Sequence, residues 1–135
     1  MRNKRFFIFC LMASLCLLIA TCSVFETLGV TKIKYEVTGT ASSVFISMNN
    51  ADEGIEEWSD VSLPWSKEFN VMNDCDKYYF AYISAYNEGN SGNITAKIYV
   101  NGSLFKSATS QGAHVKAVAS GRVKVESTWV CDEDM

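Results

Sequence analysis

From Ile33 onward, apolar residues recur at every second position in short runs separated by turn-forming residues, and no stretch sustains the spacing of an amphipathic helix. Side chains that alternate in this way point to opposite faces of a pleated strand, which commits the chain to sheets with one buried face. The alternation predicts strands at 33–38 (IKYEVT), 43–48 (SVFISM), 65–71 (WSKEFNV), 78–86 (YYFAYISAY), 94–100 (ITAKIYV) and 103–108 (SLFKSA). A last run, 113–129, is expected to break at Ser120 and Gly121 into AHVKAVA and RVKVESTWV. Seven or eight short antiparallel strands in so short a chain imply an all-β, immunoglobulin-like sandwich.

The connections carry their own chemistry. Asn101 and Gly102, in VNGS, tolerate the positive φ that both central residues of a type I′ hairpin turn require. Residues 49–54 (NNADEG) and 87–93 (NEGNSGN) read as turn-rich connections, and 73–77 (NDCDK) as a tight polar corner carrying Cys75. Pro64 is the chain's single proline. It has no N–H to give to a ladder, so it marks the entry of the strand that begins at Trp65 and holds Leu63 extended beside it. Two readings of Trp65 follow: a core residue at one end of the sandwich, or an exposed platform for a ligand.

In front of the strands, MRNKR supplies three basic residues and no acidic one, and Phe6 to Ala20 is an uncharged, mostly apolar run of 15 residues. That is the build of a signal peptide, short for a span of about 20 residues. It closes on LIATCS, Leu18 to Ser23, a branched apolar residue, two small residues and a cysteine, as in the lipobox of bacterial lipoproteins. Cys22 is therefore a lipidation candidate; cleavage nearby and retention as an anchor are the alternatives. All three place the rest of the chain outside the cytosol. The organisation expected is a signal at 1–22, a linker at 23–31, a sandwich at 32–130 and an acidic tail at 131–135.

Charge and cysteine content narrow the function. The formal net charge is −3, and beyond Cys22 nine basic residues face fifteen acidic ones, so there is no basic footprint for nucleic acid. With Cys10 and Cys16 in the signal and Cys22 at the anchor, Cys75 and Cys131 remain of the five cysteines. In an exported domain such a pair is a candidate disulfide; a redox or metal pair is the rival, disfavoured by the absence of CxxC spacing and by a single histidine.

No catalytic constellation is legible. His114 stands in GAHVKAV without a nucleophile motif, and the carboxylates Asp52, Glu53, Glu56 and Glu57 lack the spacing and glycine of a calcium loop, which leaves a charged surface segment. Neither a metal nor a cofactor is expected. The stretch most suggestive of binding is YYFAYISAY, where Tyr78, Phe80, Tyr82 and Tyr86 share one face and Tyr79, Ala81, Ile83 and Ala85 the other. An aromatic strip of this kind suits a glycan or lipid partner, and an outer sheet covering is its plain alternative.

Four blocks are similar to a known family: YEVTG at 35–39, LPWS at 63–66 (Leu63, Pro64, Trp65, Ser66), ITAKIYVNG at 94–102 (ending Val100, Asn101, Gly102), and SQG at 110–112 before a valine-rich strand. Together, over about Lys34 to Val123, they resemble the MmpS family of small mycobacterial membrane proteins. The resemblance implies a single membrane-tethered, periplasm-facing β-sandwich that serves as accessory to an RND-type exporter of lipids or siderophores, and no enzyme. Two departures stand out. Family members usually keep an N-terminal transmembrane helix where this chain has a lipobox-like cysteine. Many also join the strand before VNG to the final strand by a disulfide, where this chain has Ala96 and, at about the matching place, Ala119. An adhesin-like or carbohydrate-binding surface module is the competing function.

Overall fold

The computed structural model describes residues 30–72 and 78–125. Eight strands follow one another: β1 Thr31–Gly39, β2 Val44–Asn49, β3 Ile55–Val61, β4 Trp65–Val71, β5 Tyr78–Asn87, β6 Asn93–Val100, β7 Ser103–Gln111 and β8 Lys116–Lys124. They form two four-stranded antiparallel sheets of order β4-β1-β6-β7 and β3-β2-β5-β8. Only β2–β3 and β6–β7 are hairpins within one sheet; every other connection crosses between sheets. The result is the all-β sandwich that the alternation calls for.

The inner faces meet over Ile33, Tyr35 and Val37 of β1, Ile46 and Met48 of β2, Ile83 of β5, and Ile94 and Ile98 of β6, all without exposed surface. Each such side chain contributes about 1.5–3 kcal/mol relative to leaving it in water. Small residues sit among them: Ala81, Ala85, Ala96, Ala117 and Ala119 are all buried, which lets the sheets approach.

Two expectations are corrected. Residues 55–61, expected outside any strand, form β3, pairing with β2 from Ile55↔Asn49 to Val61↔Val44, with the charged Glu57 and Asp60 on its surface. Glu56 and Trp58 of this strand are half-buried, while Glu57, Ser59 and Asp60 are exposed. Edge strands carry charge on the solvent side, which masks the alternation. The expected break at Ser120 and Gly121 is also absent, since β8 pairs with β5 continuously from Tyr86↔Lys116 to Tyr78↔Lys124. Gly121 serves packing instead: a Cβ there would lie 2.8 Å from Cε1 of Phe105.

The sandwich has two unlike ends. At the one where β1 begins, the starts of β3, β5 and β7 and the ends of β2, β4, β6 and β8 gather. A depression lined by Ala51, Glu53, Met72 and Tyr78 joins the two sheets there. The opposite end is closed by polar links between loops: Ser43 Oγ donates to Glu88 Oε2 at 3.0 Å, and Asn87 Nδ2 donates to the carbonyls of Ser91 at 2.9 Å and Gly112 at 2.8 Å.

Candidate functional site

The aromatic stretch becomes β5, an interior strand of the second sheet. Its alternation divides as expected, with Tyr79, Ala81, Ile83 and Ala85 buried. On the outer face, Tyr78 and Phe80 are 56% and 49% exposed, whereas Tyr82 and Tyr86 are half-buried. The register brings neighbours to this strip. Phe45 of β2 stands beside Tyr86, while Lys116, Arg122 and Lys124 of β8 stand opposite Tyr86, Phe80 and Tyr78. Val118, 43% exposed, completes the apolar part of β8. Phe80, Tyr82, Ile55, Asn49 and Glu53 line an open depression of about 280 Å³. At the far end of the strip His114, in an exposed turn, stacks near Tyr86 with ring centroids 6.3 Å apart.

Beneath the strip lies a buried polar network. Tyr35 Oη donates to Asn49 Oδ1 at 2.6 Å, and the Tyr82 N–H donates to the same oxygen at 2.9 Å and to Tyr35 Oη at 3.2 Å. Asn49 Nδ2 donates to the Phe80 carbonyl, and Tyr79 Oη donates to the Asn50 carbonyl at 2.7 Å. The Asn49 side chain thus continues the β2–β5 ladder past its last backbone pair, Met48↔Ile83. Burial raises the pKa of both Tyr35 and Tyr79; for Tyr79 the hydrogen bond with Tyr35 adds to the rise, so both hydroxyls stay protonated and able to donate. By its place in NNADEG, Asn49 reads as a turn residue. Its role is invisible in sequence because its partners lie 14 to 33 residues away.

The first sheet presents a different outer surface. Lys32 pairs with Glu68 at 3.4 Å, and Lys34 and Lys97 both reach Glu36, at 3.2 and 3.7 Å. Tyr99 Oη donates to Glu36 Oε1 at 3.3 Å, and the Lys34 ammonium lies 5.3 Å from the Tyr99 ring centroid. Exposed pairs of this kind add little stability, but they leave the charges mutually satisfied. No comparable lattice of ion pairs covers the described part of the second sheet's outer face.

Leu63 and Pro64 end the crossover from β3, and Trp65 and Ser66 open β4. The Leu63–Pro64 bond is cis, Pro64 and Ser66 are exposed, and Leu63 and Trp65 pack half-buried against the core. Trp65 meets Trp58 of β3 with centroids 5.1 Å apart, and Lys67 lies over the Trp58 ring at 4.8 Å while pairing with Glu56. This cluster closes the open edge between the sheets. The hydrogen bond from Lys67 holds the Glu56 carboxyl below its usual range. Sequence alone pairs neither Trp58 nor Glu56 with Lys67, because β3 is not legible there as a strand.

VNG forms the expected tight turn, with Asn101 and Gly102 at φ of 48° and 82°. Val100 is half-buried at the end of β6. The Asn101 side chain adds a tie, its Oδ1 accepting from the Lys32 N–H at 2.9 Å and so fastening the start of β1. Cys22, Cys75 and Cys131 lie outside the described residues. Among the described residues, no three His, Cys, Asp or Glu side chains gather as a metal site, and no helix is long and apolar enough to cross a membrane.

These features define a two-sheet β-sandwich with one ion-paired face and one aromatic face. The family described as Mycobacterium membrane protein matches residues 20–125, most of the chain, and the chain belongs to that membrane-protein family. The match encloses all four sequence blocks that resemble MmpS. No match to a curated protein accompanies it.

Proposed function

We propose that this chain is a non-enzymatic envelope protein, exported and tethered to a membrane by its N-terminal segment, that serves as accessory partner to an RND-type exporter. The observation that carries the reading is the contrast between the two outer faces. Carboxylates and lysines of β1, β4 and β6 satisfy one another on the first sheet. On the second sheet, Tyr78, Phe80 and Val118 are exposed beside the cations of β8. Exposed apolar surface of this kind marks an interaction site, and a cationic border favours an anionic counterpart. Membership of a membrane-protein family and the apolar run before Ala20 support the tether.

A pull-down from chemically crosslinked membranes tests the partnership. An exporter of the RND class is expected among the captured proteins, and its reproducible absence would refute the partnership. A carbohydrate-binding module is the second reading, favoured by the half-buried tyrosines Tyr82 and Tyr86 on the same strip. Capture of polysaccharide without an exporter would establish it instead.

A further inference from the structure

We propose that the end of the sandwich at which β1 begins rests directly on the lipid surface, with Val30, Ile55, Met72 and Leu104 inserted among the headgroups and Tyr78 and Phe80 at the border where the lipid meets the aromatic strip. The idea rests on the reading of the segment before Val30 as the membrane tether, whether residues 1–29 are retained or the chain is cut and lipidated at Cys22. Its own support is a segregation of apolar surface that the tether does not require. Among the described residues seven large hydrophobic side chains are exposed: Val30, Ile55, Met72, Tyr78, Phe80, Leu104 and Val118. All but Val118 belong to the end where β1 begins. Val30 precedes β1, Ile55 opens β3, Met72 follows β4, Tyr78 and Phe80 stand at the start of β5, and Leu104 is the second residue of β7. These positions come from both sheets, so they form a rim around one end and not a stripe along one face. The opposite end carries only Val118, third residue of β8, and is closed by Ser43, Asp60, Glu88 and Asn87.

Chain length selects the occupant. From Ala20, the end of the apolar run, to Val30 the chain takes ten residue steps. Fully extended, they reach at most about 35 Å. The nine-residue β1 is itself about 30 Å long. A sandwich turned with its other end toward the bilayer would need nearly the whole tether merely to run back along its own length. With the β1 end facing the membrane, the tether has slack and the apolar rim meets the lipid. Met72 is 80% exposed and Leu104 57%, values costly to hold in bulk water but favourable at an interface. Charge does not drive the contact, because Lys32, Arg122 and Lys124 share this end with Asp52, Glu53 and Glu68. The contact should therefore persist on neutral lipid and at high salt.

The test uses the full chain reconstituted into phosphatidylcholine vesicles that contain a photoactivatable phosphatidylcholine, with labelled peptides mapped by mass spectrometry. Label is expected on peptides carrying Met72, Tyr78 and Leu104 as well as on the segment before Val30, and not on the peptide carrying Glu88 and Ser91. Replacing both Met72→Glu and Leu104→Glu, two exposed positions, should reduce labelling of the rim several-fold without changing that of the segment before Val30. Label confined to the segment before Val30, or spread equally over both ends, overturns the proposal while leaving the tether in place. A chain that fails to float with the vesicles and takes no label on the segment before Val30 overturns the tether reading, and this inference with it. Capture of a protein at Met72 or Leu104 in native membranes, in place of lipid, would assign the rim to that partner and overturn the lipid contact.

Discussion

Replacing Asn49 by alanine removes one side chain on which three groups of other strands depend. The Tyr35 hydroxyl and the Tyr82 N–H lose their acceptor, and the Phe80 carbonyl loses its donor. The losses are unequal. Tyr82 N–H keeps a second partner in Tyr35 Oη at 3.2 Å, and the Tyr35 hydroxyl keeps Tyr79 Oη at 3.5 Å, so only the Phe80 carbonyl is left with no side-chain substitute. An orphaned group costs about 1–3 kcal/mol when buried, the lower figure applying to this part-buried carbonyl, and each net hydrogen bond lost elsewhere about 0.5–1.5 kcal/mol. The sum is about 3 kcal/mol, a large part of the roughly 5–15 kcal/mol that holds a domain folded. Urea denaturation of a fragment beginning at Val30 is the assay; the expected result is a lower midpoint at unchanged slope. An Asn49→Ala protein within about 0.5 kcal/mol of wild type, the usual range for innocuous surface changes, would refute the network as the device that joins β2 to β5 at this end.

Three further expectations can be measured. Labelled fatty acid should enter the wild-type chain through Cys22, and undiminished labelling of Cys22→Ala would end the lipobox reading. Trp65→Ala should cost about 2–3 kcal/mol, less than the roughly 3–5 kcal/mol of a fully buried tryptophan, because Trp65 is half-buried against Trp58. A variant as stable as wild type would instead make Trp65 a free platform. Tyr35 and Tyr79 have pKa values raised above the ordinary 10.0, so the neutral hydroxyls stabilise the fold fully below about pH 10 and that contribution is lost as pH climbs beyond it. Tyrosinate absorbance of these two groups should therefore appear together with unfolding in alkali, and their ionisation in a still-folded protein would contradict the burial described.

The alternation made most of the fold readable, because each strand with a buried face writes that face into every second residue. β5 is the clearest case: YYFAYISAY alone separates the buried alanines from the outward aromatics. β3 failed to register for a physical reason. It is an edge strand whose inward positions, Glu56 and Trp58, face a seam where Lys67 replaces an apolar neighbour, so charge appears on both faces. Gly121 misled in the opposite sense, since a glycine inside a strand also signals close approach of another element, here Phe105. The aromatic strip could be named from sequence, but not its gradient from exposed Tyr78 to half-buried Tyr86. That depends on which strands flank it, and strand order across two sheets is not written in local spacing. The Asn49 network and the rim of exposed apolar residues are likewise products of topology alone.

In the proposed function, the outer face of the second sheet is the exporter-facing surface and the ion-paired face of the first is not. Site-specific photo-crosslinking in living cells tests it most directly, with the photoreactive residue placed either at Tyr82, on the aromatic strip, or at Glu36, the hub of the ion-paired face. A crosslink to an RND-type exporter is expected from position 82 and none from position 36. A crosslink to that exporter from position 36 alone would contradict it.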